Sequence, residues 1–206
     1  MGNPRYTIGF AVTLHQDLID LPLRWRQPRT IFVNSMSDLF HEKVPLDFIR
    51  ATFDTMNAAH WHTFQILTKR AERLSELAPR LSWPKNVWMG VSVEQQDYEW
   101  RVGHLRQVPA AVRFLSCEPL LGPLQLELNG IDWVIVGGES GPGARAMKPA
   151  WAADIRDQCS AAGVPFFLKQ LGGVIDKRGK DKAVLDGRLW RGMPRTQAGL
   201  LVGHTT

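Results

Sequence analysis

The sequence predicts an α/β fold, a partial TIM-like (β/α) barrel of about six parallel strands in a single domain. Three observations carry that reading. Six short apolar runs, too brief for helices, mostly alternate with helical segments, the signature of successive βα units. Each run ends in polar or charged residues, while the run starts are much less uniformly polar. The fifth run, Trp133-Val134-Ile135-Val136, breaks into Gly137, Gly138, Glu139, Ser140, Gly141, Pro142 and Gly143. Such a glycine density frees the backbone and leaves room for a ligand against it. In a barrel the C-terminal strand tips converge on one mouth, whereas a doubly wound sheet spreads them along an edge. Polar tips on run after run favour the barrel.

Residues 1–29 form an irregular N-terminal segment. Phe10 to Leu14 reads as a short strand, and Pro22 confines any helix in Leu18 to Trp25 to short pieces. The first clear run, Thr30-Ile31-Phe32-Val33, ends in Asn34-Ser35-Met36-Ser37-Asp38. Pro45 suits the first turn of a helix reaching about Ala58, with Leu46, Ile49, Phe53 and Met56 on one face. Phe64 to Leu67 ends at Thr68-Lys69-Arg70 and leads into a helix through Leu77. Val87 to Val91 ends at Ser92-Val93-Glu94, with a helix expected from about Gln95 to Leu105. Val112 to Leu115 ends at Ser116-Cys117-Glu118-Pro119, after which an excursion to Gly130 shows no helical pattern. The fifth run leads to a helix from Pro149 to Ala161, which Gly163 stops. Val164 to Leu168 is the sixth strand, ending at Lys169-Gln170. Residues 172–194 read as a basic tail carrying Lys177, Arg178, Lys180 and Lys182, either a solvated loop or a phosphate-contacting arm. The barrel-like domain is thus expected to span residues 1–194, with 195–206 a frayed terminus.

A chain of 206 residues suits one domain, and 44% hydrophobic with 22% charged residues is ordinary for a soluble globular protein. No apolar stretch is long enough for a bilayer span, and the basic-then-apolar pattern of a signal peptide is missing. The two cysteines, Cys117 and Cys159, suggest neither a metal cluster nor a disulfide framework. A cytoplasmic protein without a membrane partner is expected. The net charge of +5 is compatible with a nucleotide or nucleic-acid partner without requiring one.

Glu94, Glu118 and Glu139 fall at the tips of three successive strands. Sharing one mouth would raise at least one of their pKa values, suiting acid–base work or a cation such as Mg²⁺ or Mn²⁺. Lys69 and Lys169 on flanking strands could instead neutralise these acids as structural ion pairs. The polar cluster from Asn34 to Asp38 reads equally as a ribose or amide site and as an Asx or Ser turn. His60-Trp61-His62 lacks a third metal ligand. Cys117 lacks a histidine base and is expected to be a buried apolar residue.

The segments IFVNSMSDLFHE, TFQILTKR, NVWMGVSVE, VRFLSCEPLLGP, DWVIVGGESGPGAR, IRDQC and PFFLKQ resemble, in that order, an uncharacterised phage and bacterial family of radical-SAM-like barrel proteins. The resemblance runs from about Gly2 to Pro194. Members of that family begin with three closely spaced cysteines before a Tyr-Ala pair, similar to an iron–sulfur motif. They then continue into Gly-Asn-Pro-Arg-Tyr, where this sequence starts. The expectation is a member without the first strand and cluster loop, so an iron–sulfur cluster is not expected in this chain.

The resemblance implies an S-adenosylmethionine pocket formed by Asn34, Ser35, Gly137, Gly138, Glu139 and Ser140, beside Glu118. Lys69, Glu94, Glu118 and Lys169 are then the candidate catalytic residues, the lysines orienting anionic groups and the glutamates holding polar substrate atoms. The implied activity is S-adenosylmethionine or nucleotide binding and action on nucleic acid. A missing first strand would expose a sheet edge, met by a partner protein or a homodimer. Two other readings stand beside this one. The first is a non-catalytic nucleic-acid or protein-binding module using the basic tail and the tryptophans. The second is a divalent-metal-dependent hydrolase using the three glutamates.

Overall fold

The computed structural model describes residues 12–33, 37–173 and 183–194. Its centre is one sheet of β1 (Thr30–Phe32), β2 (Thr63–Thr68), β3 (Val87–Ser92), β4 (Val112–Cys117), β5 (Trp133–Gly137) and β6 (Phe166–Gln170). All neighbouring pairs are parallel, and the spatial order equals the sequence order. An order that never reverses keeps the connections on one face, so the sheet curls into a half-barrel with helices outside it.

Parity divides the side chains between the two faces. Outward go Ile66, Met89, Val91, Leu115, Val134, Val136 and Leu168, which join the helices in the main core. α1 (Leu46–Ala58) contributes Ile49, Phe53 and Met56, spaced at three and four residues. α2 (Ala71–Leu77), α3 (Arg101–Arg106) and α4 (Pro149–Ala162) add Leu74, Leu105 and Ile155. Inward go Trp88, Val112, Phe114 and Trp133, a separate aromatic cluster with Leu67, Ile135 and Phe167 packed against it. This inner cluster fills the concave side below the strand tips, as side chains fill a barrel interior. Gly90 is part of its design. A Cβ there would stand 2.5 Å from Cζ and 2.6 Å from Cδ2 of Phe114, so the missing side chain seats the ring.

The expected elements are present with four corrections. Val12 to Leu14 forms no strand, and Phe10 and Ala11 lie outside the described residues. The apolar stretch after it does fold as two short 3-10 turns, Gln16–Leu18 and Leu21–Arg24. The continuous helix expected from Gln95 to Leu105 is instead a 3-10 turn at Gln96–Tyr98 followed by α3. Its first residues are tied to the excursion after β4. Gln96 exchanges hydrogen bonds with the backbone of Gln125, and the Glu127 N–H donates to the Glu99 carboxylate. The last strand starts at Phe166 rather than Val164, because the Val164 N–H still closes the α4 terminus on Cys159 O.

The fourth correction concerns the tail. Lys177, Arg178, Lys180 and Lys182 lie outside the described residues. The described part, 183–194, is structured. β7 (Val184–Leu185) and β8 (Arg188–Leu189) form a hairpin through Asp186 and Gly187, both at positive φ. Asp-Gly is a strong short-range hairpin signal, masked here by the basic residues before it. Trp190 O then accepts from Leu168 N at 3.0 Å and Gly192 N donates to Phe166 O at 2.9 Å. The β6 edge is therefore covered by the chain itself. At the opposite edge β1 pairs with β2 alone among the described residues. Among those residues no helix is long and apolar enough to cross a membrane.

Candidate functional site

Above the aromatic layer the concave side turns polar. Ser92 and Ser116 face one another in register, both buried. Two residues further along the same strands, parity returns Glu94 and Glu118 to that side. Lys69 follows β2 and is ion-paired with Glu94, which fixes both on the concave side. The four residues expected to carry chemistry thus come from four elements and form two ion pairs at the strand tips, Lys69 with Glu94 and Lys169 with Glu118.

Glu94 is buried and held on both oxygens. Arg101 Nη1 donates to its Oε2 at 3.0 Å and to Ser92 O at 2.8 Å, while Lys69 takes Oε1. Arg101 is itself buried and stacks 4.1 Å from the Tyr98 ring centroid. Arg101 is not among the residues the sequence singles out. Its signal, a basic residue seven positions after Glu94, is hidden by the helix break between them.

Glu118 differs. Its Oε2 accepts from Lys169 Nζ at 2.8 Å, but its Oε1 is buried with no hydrogen-bond partner among the described residues. The pair reaches across β5, from β4 to β6, over Gly137. A Cβ on Gly137 would stand 2.9 Å from Glu118 Oε1 and 3.1 Å from its Cγ, so only glycine leaves the carboxylate its place. Lys169 sits where the β5–β6 register slips by one residue. The peptide bond between Glu118 and Pro119 is cis.

Glu139 belongs to a third arrangement. Its Oε2 accepts from Arg145 Nε at 2.7 Å and from the Arg145 backbone N–H at 3.0 Å, and its Oε1 from Nη2 at 3.2 Å. These bonds, led by those from the guanidinium, hold its carboxyl down to about 2. Glu139 is therefore shifted down, not up. Three carboxylates meet three different sets of cations rather than one another. Gly138 also has a structural cause, since a Cβ there would stand 2.7 Å from the Leu171 carbonyl carbon. Ser140 bridges to Gly173 beside it. The glycine-rich turn is thus laid against 171–173, with its Glu139 side chain occupied by Arg145.

Asn34 and Ser35 lie outside the described residues. Within the same polar cluster Asp38 takes the turn reading. Its Oδ1 accepts from Phe40 N and Thr68 Oγ1, its Oδ2 from Lys69 N and Arg70 Nη1. Asp38 therefore pins the loop after β1 to the tip of β2. His62 is buried between the Arg29 N–H and Pro22 O, a core histidine.

A family model described as Protein of unknown function (DUF5131) matches residues 1–194. The chain belongs to this family. No curated protein and no solved structure matches this DUF5131 member significantly. An iron–sulfur cluster does not fit its residues. Both cysteines are buried on the helix side, where burial pushes the Cys117 thiol well up and that of Cys159 up to about 12. Thiols so held are poor sources of thiolate ligands. The mouth carries, among the described residues, one buried carboxylate oxygen without a hydrogen-bond partner and two ammonium groups about half exposed, each ion-paired to a glutamate.

Proposed function

We propose that the mouth of this half-barrel binds S-adenosylmethionine or a close adenosyl amino acid, in the service of a reaction on nucleic acid. One observation carries the reading: Glu118 Oε1, buried without a donor among the described residues, beside Lys169 and directly over Gly137. An unpaired buried acceptor costs about 1–3 kcal/mol, and a ligand ammonium placed there recovers it. An α-carboxylate then finds Lys169 and Lys69, whose side chains are about half exposed. The adenosyl part has the half-buried shelf of Leu67, Ile135 and Phe167 below it.

In this reading Glu94 is the fixed point that positions Lys69, because Arg101 holds its other oxygen. Asn34 and Ser35 serve the ribose, and Glu139 with Ser140 shapes the loop wall. When bound, the ligand supplies a sulfonium whose attached carbons are electrophilic. The protein's own contribution is to bind, orient and neutralise.

Titration calorimetry tests the proposal. S-adenosylmethionine should give measurable heat with the wild-type chain. Glu118→Gln should weaken it roughly 10- to 100-fold, the worth of a charged hydrogen bond. Methionine should lose affinity in the same variant while adenosine keeps it. Absence of heat from S-adenosylmethionine with the wild-type protein sinks the reading.

A further inference from the structure

The stretch from Leu21 to Ser37 contains three arginines and no acidic residue. Arg24, Arg26 and Arg29 are all exposed, and they lead directly into β1. Several other guanidinium groups are taken up: Arg106 by backbone carbonyls, Arg145 by Glu139, Arg156 by Asp157 and Asp186. Arg24 and Arg26 have no such partner among the described residues, and the Arg29 guanidinium lies 4.8 Å over the Trp25 ring.

The backbone that carries them is braced. Trp25 N donates to Pro22 O and Trp25 O accepts from Trp61 Nε1 at 2.7 Å. Arg29 N donates to His62 Nδ1 at 3.1 Å and Arg29 O accepts from Thr63 N at 2.9 Å. Two unpaired guanidinium groups and a third resting on the Trp25 ring are therefore presented on a braced strip. Three residues beyond Arg29, about 10 Å up the strand, stands Phe32. It points to the concave side in register with Gln65 and is 45% exposed, while every other described phenylalanine is buried or half-buried.

We infer that the strip from Arg24 to Phe32 is a docking site for single-stranded nucleic acid. The arginines meet successive phosphates and Phe32 offers its face to an unpaired base. Cations along a rigid track beside an aromatic platform form the recurrent arrangement for single strands, and base stacking explains an otherwise uncovered ring. A duplex would use the charges but leave Phe32 idle. The inference rests on the nucleic-acid part of the proposed function and not on the adenosyl ligand, since the arginines lie at the opposite end of β1 from the mouth.

Fluorescence anisotropy of a labelled mixed-sequence single strand, titrated without S-adenosylmethionine across a salt series, tests it. The wild type should bind. Losing three phosphate contacts in the Arg24→Ala/Arg26→Ala/Arg29→Ala variant should flatten the log–log salt slope by about 2. Its affinity at 100 mM salt should fall at least about tenfold. The double variant R24A/R26A, which touches no stacked or bonded side chain, should show about two thirds of that change in slope. Replacing the same three arginines with lysine should preserve most of the binding. Phe32→Ala should weaken the single strand more than a duplex of the same sequence. Calorimetric heat with S-adenosylmethionine should persist in all these variants, which separates failure here from failure at the mouth. The inference is overturned if the wild type does not bind, if R24A/R26A binds like wild type, or if the duplex binds as tightly as the single strand.

Discussion

Gly90→Ala probes the architecture at its tightest point. The new Cβ would lie 2.5–2.6 Å from two carbons of the Phe114 ring, on a strand paired on both sides. Strand backbone in mid-sheet yields little. The ring yields little either, being buried against Trp133 with centroids 5.9 Å apart, while Trp133 itself meets Trp88. Overpacking of this kind costs about 1–3 kcal/mol, and with no exit for the ring the upper end applies. For a chain of this size that lowers the melting temperature by roughly 6–12 °C. Guanidinium unfolding followed by tryptophan emission gives the free energy directly. The cause is isolated by a cycle with Phe114→Leu: the smaller side chain should relieve the clash, leaving a favourable coupling of at least about 1 kcal/mol. An alanine at position 90 that costs under about 0.5 kcal/mol, or a cycle that simply adds, refutes the assigned role of the glycine.

Glu94→Ala leaves Arg101 buried without its carboxylate and should cost about 3–5 kcal/mol in denaturant melts, whereas changing Glu94 and Arg101 together to apolar residues should recover most of it. Glu139 titrates near 2 in the folded chain against an ordinary value of 4.5, so its contribution is complete above about 4.5 and fades as pH falls towards 2. The melting-temperature gap between wild type and Glu139→Gln should accordingly narrow across that acid range and stay constant above it. Cys117 and Cys159 should react with a thiol reagent at pH 8 only slowly in the native protein and at once in denaturant; rapid native labelling would contradict their burial.

Much of the fold is readable from the chain because parallel strands announce themselves twice, by β-branched runs and by the polar residues that close each run. Alternation alone sends Lys69, Glu94, Glu118 and Lys169 to one side once the strands are consecutive neighbours. The partners are not readable in the same way. Arg101 reaches Glu94 because a helix is broken by Gln96 and Glu99 bonding to a loop some thirty residues on, and nothing local foretells that. Arg145 closes on Glu139 across a loop whose glycines look like space for a ligand. Gly138 serves close approach of the chain to 171–172 in the same way. Asp38 could be a turn or a ligand contact by its spelling alone, and the position of Thr68 decides it. The hairpin after Val184 is legible in Asp186-Gly187, but the basic residues before it draw the interpretation towards a solvated loop.

The consecutive strand order bears on synthesis. Thr30 pairs with Thr63 and Val134 with Phe166, so each strand's earlier neighbour lies one βα unit behind it. As the polypeptide leaves the ribosome, every strand after β1 finds its template already outside the tunnel, and none must wait for a later segment to insert between two earlier ones. Trp190 to Gly192 keep the same rule by settling beside β6, the strand most recently made. Assembly can then advance in one direction along the sheet, with a single growing margin until the last segment covers it.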